Sequence, residues 1–277
     1  LVAYNVGRGG ILLNQLQINE SELSIETAGK KRTIVRTILG NLGAVVGGMR
    51  PVVVGTGLDI QPVEIRDDIF NAYNQHRNQP PWFKDRKARD ADLTRLPEGS
   101  SKLAGVLFEV PEFTTSIVPS VIMLKGQGSA VNTGEVKGIA VERKANALFF
   151  LHTYHAGAGI RQHESRLAAG REEPPPVLFR YRINYADGQS VMVPIAWNEG
   201  ISHWVQESPQ PLRFAQVAWT APAEGNSELQ TTVYSMQWNN PRPDVAIASV
   251  DVLPSPERNG ERLGAPAVIA VSTATTP

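Results

Sequence analysis

The chain predicts a mainly β protein, an antiparallel β-sandwich or jelly roll, and three observations carry that prediction. Residues 177–185 put Val177, Phe179, Tyr181, Ile183 and Tyr185 on one face of a strand and Leu178, Arg180, Arg182 and Asn184 mostly on the other. That is the period of two expected of a strand with one face in the core. Asp187-Gly188 then turns the chain into Val191, Val193 and Ile195, the turn chemistry of a hairpin. The third observation is the run Trp238-Asn239-Asn240-Pro241-Arg242-Pro243-Asp244, an aromatic strand end locked by two prolines.

Taken in order, the first fifty residues differ in style from the rest. Residues 2–6 read as a strand, Gly7 to Gly10 as a turn, and 11–16 as a second apolar run. Over 30–46, Ile34, Val35, Ile38, Leu39, Leu42, Val45 and Val46 recur at three- and four-residue spacing, which predicts an amphipathic helix stopped by Gly47-Gly48. A hairpin and one helix cannot bury both apolar faces alone, so residues 1–50 read as the tail of an α/β domain. Residues 51–101 read as a linker and entry segment, with a strand near 62–65, a short helix over 67–75 and a charged stretch at 84–92. From 102 to 277 the reading is β. Strands are expected over 105–110, 120–124, 136–142, 147–154, 177–185, 190–195, 214–219, 229–238, 246–253 and 267–272.

Composition narrows the function classes. The 277 residues include 42% hydrophobic and 19% charged side chains, as in ordinary globular domains. Basic and acidic residues balance at 27 each, which argues against a nucleic-acid or acidic-membrane partner, because phosphate neutralisation needs a basic surplus. Cysteine is absent, so disulfides, thiolate metal sites and a cysteine nucleophile are excluded. No apolar run reaches bilayer-spanning length. The chain begins at Leu1 without signal-peptide architecture, which reads as a processed or trimmed end.

Two resemblances add to this. The text G-R-G-G-I-L-L-N-Q-L-Q-I (7–18), followed by I-L-G-N-L at 38–42, resembles the end of a glutamine-amidotransferase-like α/β domain. Such domains lie near the C-terminus of some bacterial glycoside hydrolases of the β-galactosidase type, and their catalytic residues would lie upstream. The runs L-F-F-L-H-T (148–153), Y-R-I-N-Y-A-D-G (181–188) and W-N-N-P-R-P-D (238–244), with Trp82, D-L-T-R-L-P-E-G (92–99) and G-V-L-F-E-V (105–110), resemble the galactose-binding-like β-sandwich modules of secreted carbohydrate-active enzymes. This likeness spans roughly residues 63–273. It implies a noncatalytic accessory module that binds carbohydrate or braces a catalytic domain, in a secreted or periplasmic setting. Its partners would be a glycan, an upstream catalytic domain or partner subunit, or a second copy in a homo-oligomer. Two other functions stay open: a hydrolase subunit lending loops to a shared active site, and a structural assembly module without ligand.

Candidate binding residues follow from side-chain chemistry. An exposed indole stacks on the C–H face of a sugar, so Trp82, Trp197 and Trp204 are candidates, with Asn198 to read hydroxyls. The competing reading is that these tryptophans cover the core from its edge. Residues 155–176 read as a long loop carrying His155, Arg161, Arg166 and Arg171 before three prolines, and long loops at a sandwich end commonly form the ligand site. His152, His155, His163 and Glu164 are the densest histidine cluster. Two histidines three apart on a strand point to opposite faces, so they could share a metal only if the strand ends at His152. Structural calcium is the one cofactor considered, with Asp67 and Asp68, or Asp90 and Asp92, as oxygen donors. Catalytic residues are not assigned. Glu109, Glu142 and Glu199 are scattered, and the chain contains no G-x-S-x-G, phosphate-loop or dinucleotide signature.

Overall fold

A computed structural model describes residues 2–6, 9–13, 58–73, 83, 93–112, 118–223 and 226–275. The chain divides into two compact units, Leu1–Val53 and Val54–Pro277. In the first, β1 (Val2–Val6) and β2 (Gly9–Leu13) form an antiparallel pair with Val6 opposite Gly9. The second strand thus starts two residues earlier than its apolar run, inside the predicted turn. The helix expected over 30–46, the charged stretch at 84–92 and Trp82 lie outside the described residues.

The second unit contains β3 (Asp59–Pro62), β4 (Gly99–Leu103), β5 (Val106–Val110), β6 (Ile122–Met123), β7 (Val136–Arg143), β8 (Ala147–Ala156), α1 (Ala158–Ala168) and β9 (Val177–Tyr185). It continues with β10 (Ser190–Ala196), β11 (Val205–Gln206), β12 (Ala215–Ala223), β13 (Asn226–Asn239), β14 (Ile247–Pro254) and β15 (Gly264–Thr275). One sheet has four strands in the order β10-β9-β14-β7. The other has seven: β11-β13-β8-β15-β3, with β12 beside β13 and β6 beside β15. All of these strand pairs are antiparallel. The two sheets share a core, and Phe150 of β8 stacks on Tyr181 of β9 at 3.9 Å between ring centroids. The architecture is therefore mainly β and sandwich-like.

The larger sheet is covered on its other face as well. There Phe149, Leu151, Ala267 and Ile269 meet Leu103, Val106, Phe108 and Val110 of the β4–β5 hairpin, together with Leu93 and Leu96. The Ser272 hydroxyl donates to the Leu107 carbonyl at 2.6 Å across this second layer. Every residue of β8 is consequently buried, whereas β9 alternates. Burial on two faces is why L-F-F-L reads as an unbroken apolar run while residues 177–185 read as alternation. Residues of the expected linker, Val63, Phe70, Ala72, Leu93 and Leu96, belong to these cores, and the described parts of 54–101 fold with the sandwich unit.

The three sequence runs meet in space. Leu148 pairs with Trp238 across β8 and β13. The Tyr185 hydroxyl donates to Asn240 Oδ1 at 2.6 Å, and Asn240 Nδ2 donates to the Ala145 carbonyl at 2.7 Å. Arg242 lies 4.7 Å above the Tyr185 ring and pairs with Asp187 at 2.5 Å. The Asp-Gly turn, with Gly188 at φ +83°, is thereby fastened to the proline corner. Burial and these partners identify all three runs as framework.

The β4–β5 hairpin turns on Ala104 and Gly105, whose φ angles are +48° and +82°. Two consecutive left-handed residues define the tight turn that favours Asn-Gly, and alanine tolerates the first position poorly. Ala104→Asn is expected to raise stability by about 0.5–1 kcal/mol, read as a higher urea midpoint at unchanged slope. A lowered midpoint would contradict this geometry.

Candidate functional site

Strand β8 does not end at His152. It runs to Ala156 because Gly264 and Ala265 of β15 pair with Ala156 and His155. The two histidines therefore face different layers. His152 is fully buried in the sandwich core, where its Nε2 lies 3.0 Å from the Gly200 carbonyl and its Nδ1 2.9 Å from the Tyr181 hydroxyl. A carbonyl only accepts, so Nε2 carries the proton and Nδ1 accepts from Tyr181. Burial pushes the His152 pKa down to about 4, only partly offset by the Gly200 contact, and pushes the Tyr181 hydroxyl up. His152 is thus a neutral, satisfied core residue.

His155 packs on the other side, 7% exposed, against Phe83 at 5.6 Å and with its Nδ1 3.3 Å from the Trp204 indole N–H. Phe83 also packs on Trp204. Trp204 is wholly buried and Trp197 is 4% exposed, so neither offers an indole face to solvent. Their expected role as a sugar platform is corrected by burial: both close the core at its edge. Trp197 instead donates its indole N–H to Glu164 of α1 at 3.2 Å. Asn198 is a turn residue at φ +56°, its side-chain oxygen accepting from the Ser202 hydroxyl at 2.7 Å. Two other polar neighbours of these tryptophans, Glu199 and His203, are engaged with Arg213 and with the Ala156 N–H.

The expected loop 155–176 contains a helix, α1. Only Ile160 and His163 bury from it, too short a stripe to register as helical periodicity. Its first N–H groups lack a local side-chain cap, and Gln127 supplies one from elsewhere, accepting from the Ala158 N–H at 2.7 Å. Arg161 is exposed and its guanidinium reaches back to the Ala156 carbonyl at 3.3 Å.

Beside α1 lies a cleft of about 510 Å³, formed with the prolines 174–176 and the turn between β14 and β15. Its polar groups are Gln162, His163, Arg166 and Glu173 on one side and Glu257, Arg258, Asn259 and Arg262 on the other. Glu173 is the pivot on one wall: Arg166 Nε donates to both its oxygens at 2.8 and 2.9 Å, and His163 Nδ1 lies 3.4 Å away. The Arg166 hydrogen bond foremost holds the Glu173 carboxyl below the usual carboxylate range. Of the sequence candidates, His163 and Arg166 line this cleft; His155, Arg161, Trp197, Asn198 and Trp204 do not. Arg258, Asn259 and Arg262 were not anticipated. Their signal was the run S-P-E-R-N-G-E-R at 255–262, a charged connection between two apolar strands.

Among the described residues, no group of three or more His, Asp or Glu side chains is placed to hold a metal ion. Asp67 and Asp68 stand in solvent, and Asp68 pairs with Arg66 at 3.0 Å, so these two do not form a calcium cage. Asp90 and Asp92 lie outside the described residues. No described helix is long and apolar enough to cross a membrane.

Fold and site together define a β-sandwich-like unit with a polar cleft at the end carrying α1. Comparison with protein families, curated proteins and solved structures finds no match to this chain.

Proposed function

We propose that the chain is a noncatalytic accessory β-sandwich of the galactose-binding-like type, belonging to a secreted or periplasmic glycoside hydrolase, and that it binds carbohydrate weakly. The observation that carries this reading is the cleft between α1 and the β14–β15 turn. Planar hydrogen-bonding groups, Gln162, Arg166, Glu173 and Asn259, line it beside the proline wall at 174–176. Side chains of that kind read vicinal hydroxyls, and the proline rings offer an apolar surface to the C–H face of a sugar. Because Trp197 and Trp204 are buried, this reading rests on the cleft beside α1 rather than on the 197–204 turn.

The test is calorimetric titration of the full chain with a panel of neutral and acidic oligosaccharides. At least one glycan is expected to bind, with affinity falling about tenfold in Gln162→Ala/Asn259→Ala, the loss of two polar contacts. Both residues are exposed, so the variant is expected to melt like the parent. Absence of binding across the panel, or turnover of glycosides by the chain itself, would overturn the proposal.

A further inference from the structure

Resting on the carbohydrate reading of this cleft, we propose that its ligand is an acidic oligosaccharide, with the carboxylates of uronic-acid units received by Arg258 and Arg262. The charge arrangement points there. Neither carboxylate in the 255–262 run pairs with Arg258 or Arg262. Glu261 pairs with Lys125 at 2.7 Å, and Glu257 Oε1 lies 3.5 Å from the Val177 N–H that points to it. On the facing wall Glu173 is taken by Arg166. Among the described residues no carboxylate pairs with Arg258 or Arg262, and both guanidinium groups are exposed in the cleft. The guanidinium fork matches a planar carboxylate in two-point geometry, which a neutral hydroxyl cannot reproduce.

Position extends the argument from one sugar to several. A second cleft of about 430 Å³ lies on the other side of the same turn and shares Glu257, Arg258, Asn259 and Arg262 with the first. Leu178, Phe179 and Pro266 supply its apolar side. The two arginines therefore form a ridge between two adjoining clefts, and a linear oligosaccharide lying across that ridge presents one acidic unit to each.

The ridge is held in place before any ligand arrives. The Gly157 N–H donates to the Leu263 carbonyl at 2.6 Å, and the Gln127 N–H to the Glu261 carbonyl at 2.8 Å. The Ser255 hydroxyl donates to the Val177 carbonyl at 2.6 Å while its oxygen accepts from the Glu257 N–H at 3.1 Å. A Cβ on Gly157 would stand 2.4 Å from the Arg262 carbonyl oxygen, so glycine is what lets α1 and the turn touch. Backbone anchoring on both sides limits the ordering cost that binding otherwise carries.

The experiment titrates the full chain with trigalacturonic acid and with its neutral counterpart, galactotriose, using acetate and inorganic phosphate as free-anion controls. The acidic trisaccharide is expected to bind about tenfold more tightly than the neutral one, with the advantage shrinking as salt is raised. Arg258→Gln/Arg262→Gln is expected to remove that advantage and leave galactotriose binding unchanged, while Arg171→Gln, outside both clefts, changes neither. Equal affinity for the two trisaccharides would overturn the acidic preference and leave the carbohydrate reading standing. Binding of neither, nor of any other glycan, would overturn both. Acetate or phosphate binding as tightly as trigalacturonic acid would mean that the ridge takes a free anion, and would also overturn the proposal.

Discussion

Gly264→Ala is expected to cost more than about 4 kcal/mol, enough to leave a domain of ordinary stability largely unfolded. Gly264 opens β15 opposite Ala156, at φ +135°, a conformation that L side chains rarely adopt. A Cβ there would lie 1.8 Å from the His155 carbonyl oxygen, 2.8 Å from Tyr154 Cε1 and 2.9 Å from the Gly157 nitrogen. Two of those three obstacles are backbone, in a fully buried strand and at the start of α1. Neither can withdraw without breaking the β8–β15 ladder or the Gly157–Leu263 hydrogen bond. Gly188→Ala separates crowding from backbone strain, since Gly188 also has positive φ, at +83°, but nothing lies within 4 Å of its would-be Cβ. That variant is expected to lose only about 1 kcal/mol. Urea denaturation of the two variants side by side decides the matter, and similar losses in both would refute the close-approach argument.

Acid is expected to weaken the fold through His152 before the carboxylates are titrated. The unfolded chain binds a proton at His152 with the ordinary value of 6.5, while burial lowers the folded value to about 4. Above pH 6.5 both states are neutral there and the stabilisation is fully present. As pH falls through this window the unfolded state takes up the proton first, so stability drops until the folded pKa is passed. The full difference corresponds to about 3 kcal/mol. His152→Gln removes the titration. It is expected to be less stable than the parent at pH 7 and to show a flatter stability profile between pH 6.5 and 4. Denaturation midpoints measured across that range provide the check, and an unchanged slope in the variant would exclude His152 as the source. Glu173, Asp187 and Asp251 all have carboxyl groups held below their ordinary range, so their contribution is lost at lower pH still.

Much of the strand layout was legible in the chain because it is written in local chemistry. Residues 177–185 alternate in the sequence and in burial, and β9 has those bounds. Asp187-Gly188 makes the β9–β10 hairpin, and Asn240 with its flanking prolines makes the corner. What went unread has a common cause. The helix α1 shows almost no periodicity, since it buries two side chains and is capped by Gln127, thirty-one residues away from Ala158. The strand β4 was hidden because its G-S-S-K-L text is mostly polar and half-exposed on one edge of a hairpin.

The candidate site divides along the same line. The sequence by itself determined strands, turns and the proline corner, because φ preferences, side-chain alternation and turn residues act over a few positions. It also marked the arginines before 174–176 as candidates, but as parts of a loop where Arg161 and Arg166 stand on a helix. Only the tertiary structure decided which faces are covered. Layers on both sides of β8 place His152 and His155 in separate interiors, and enclosure at the sheet edge takes Trp197 and Trp204 away from solvent. Only the tertiary structure brings Arg166 to the same cleft as Arg258 and Arg262, about ninety residues later in the chain. Burial and long-range approach depend on how sheets stack, which no short stretch of sequence encodes.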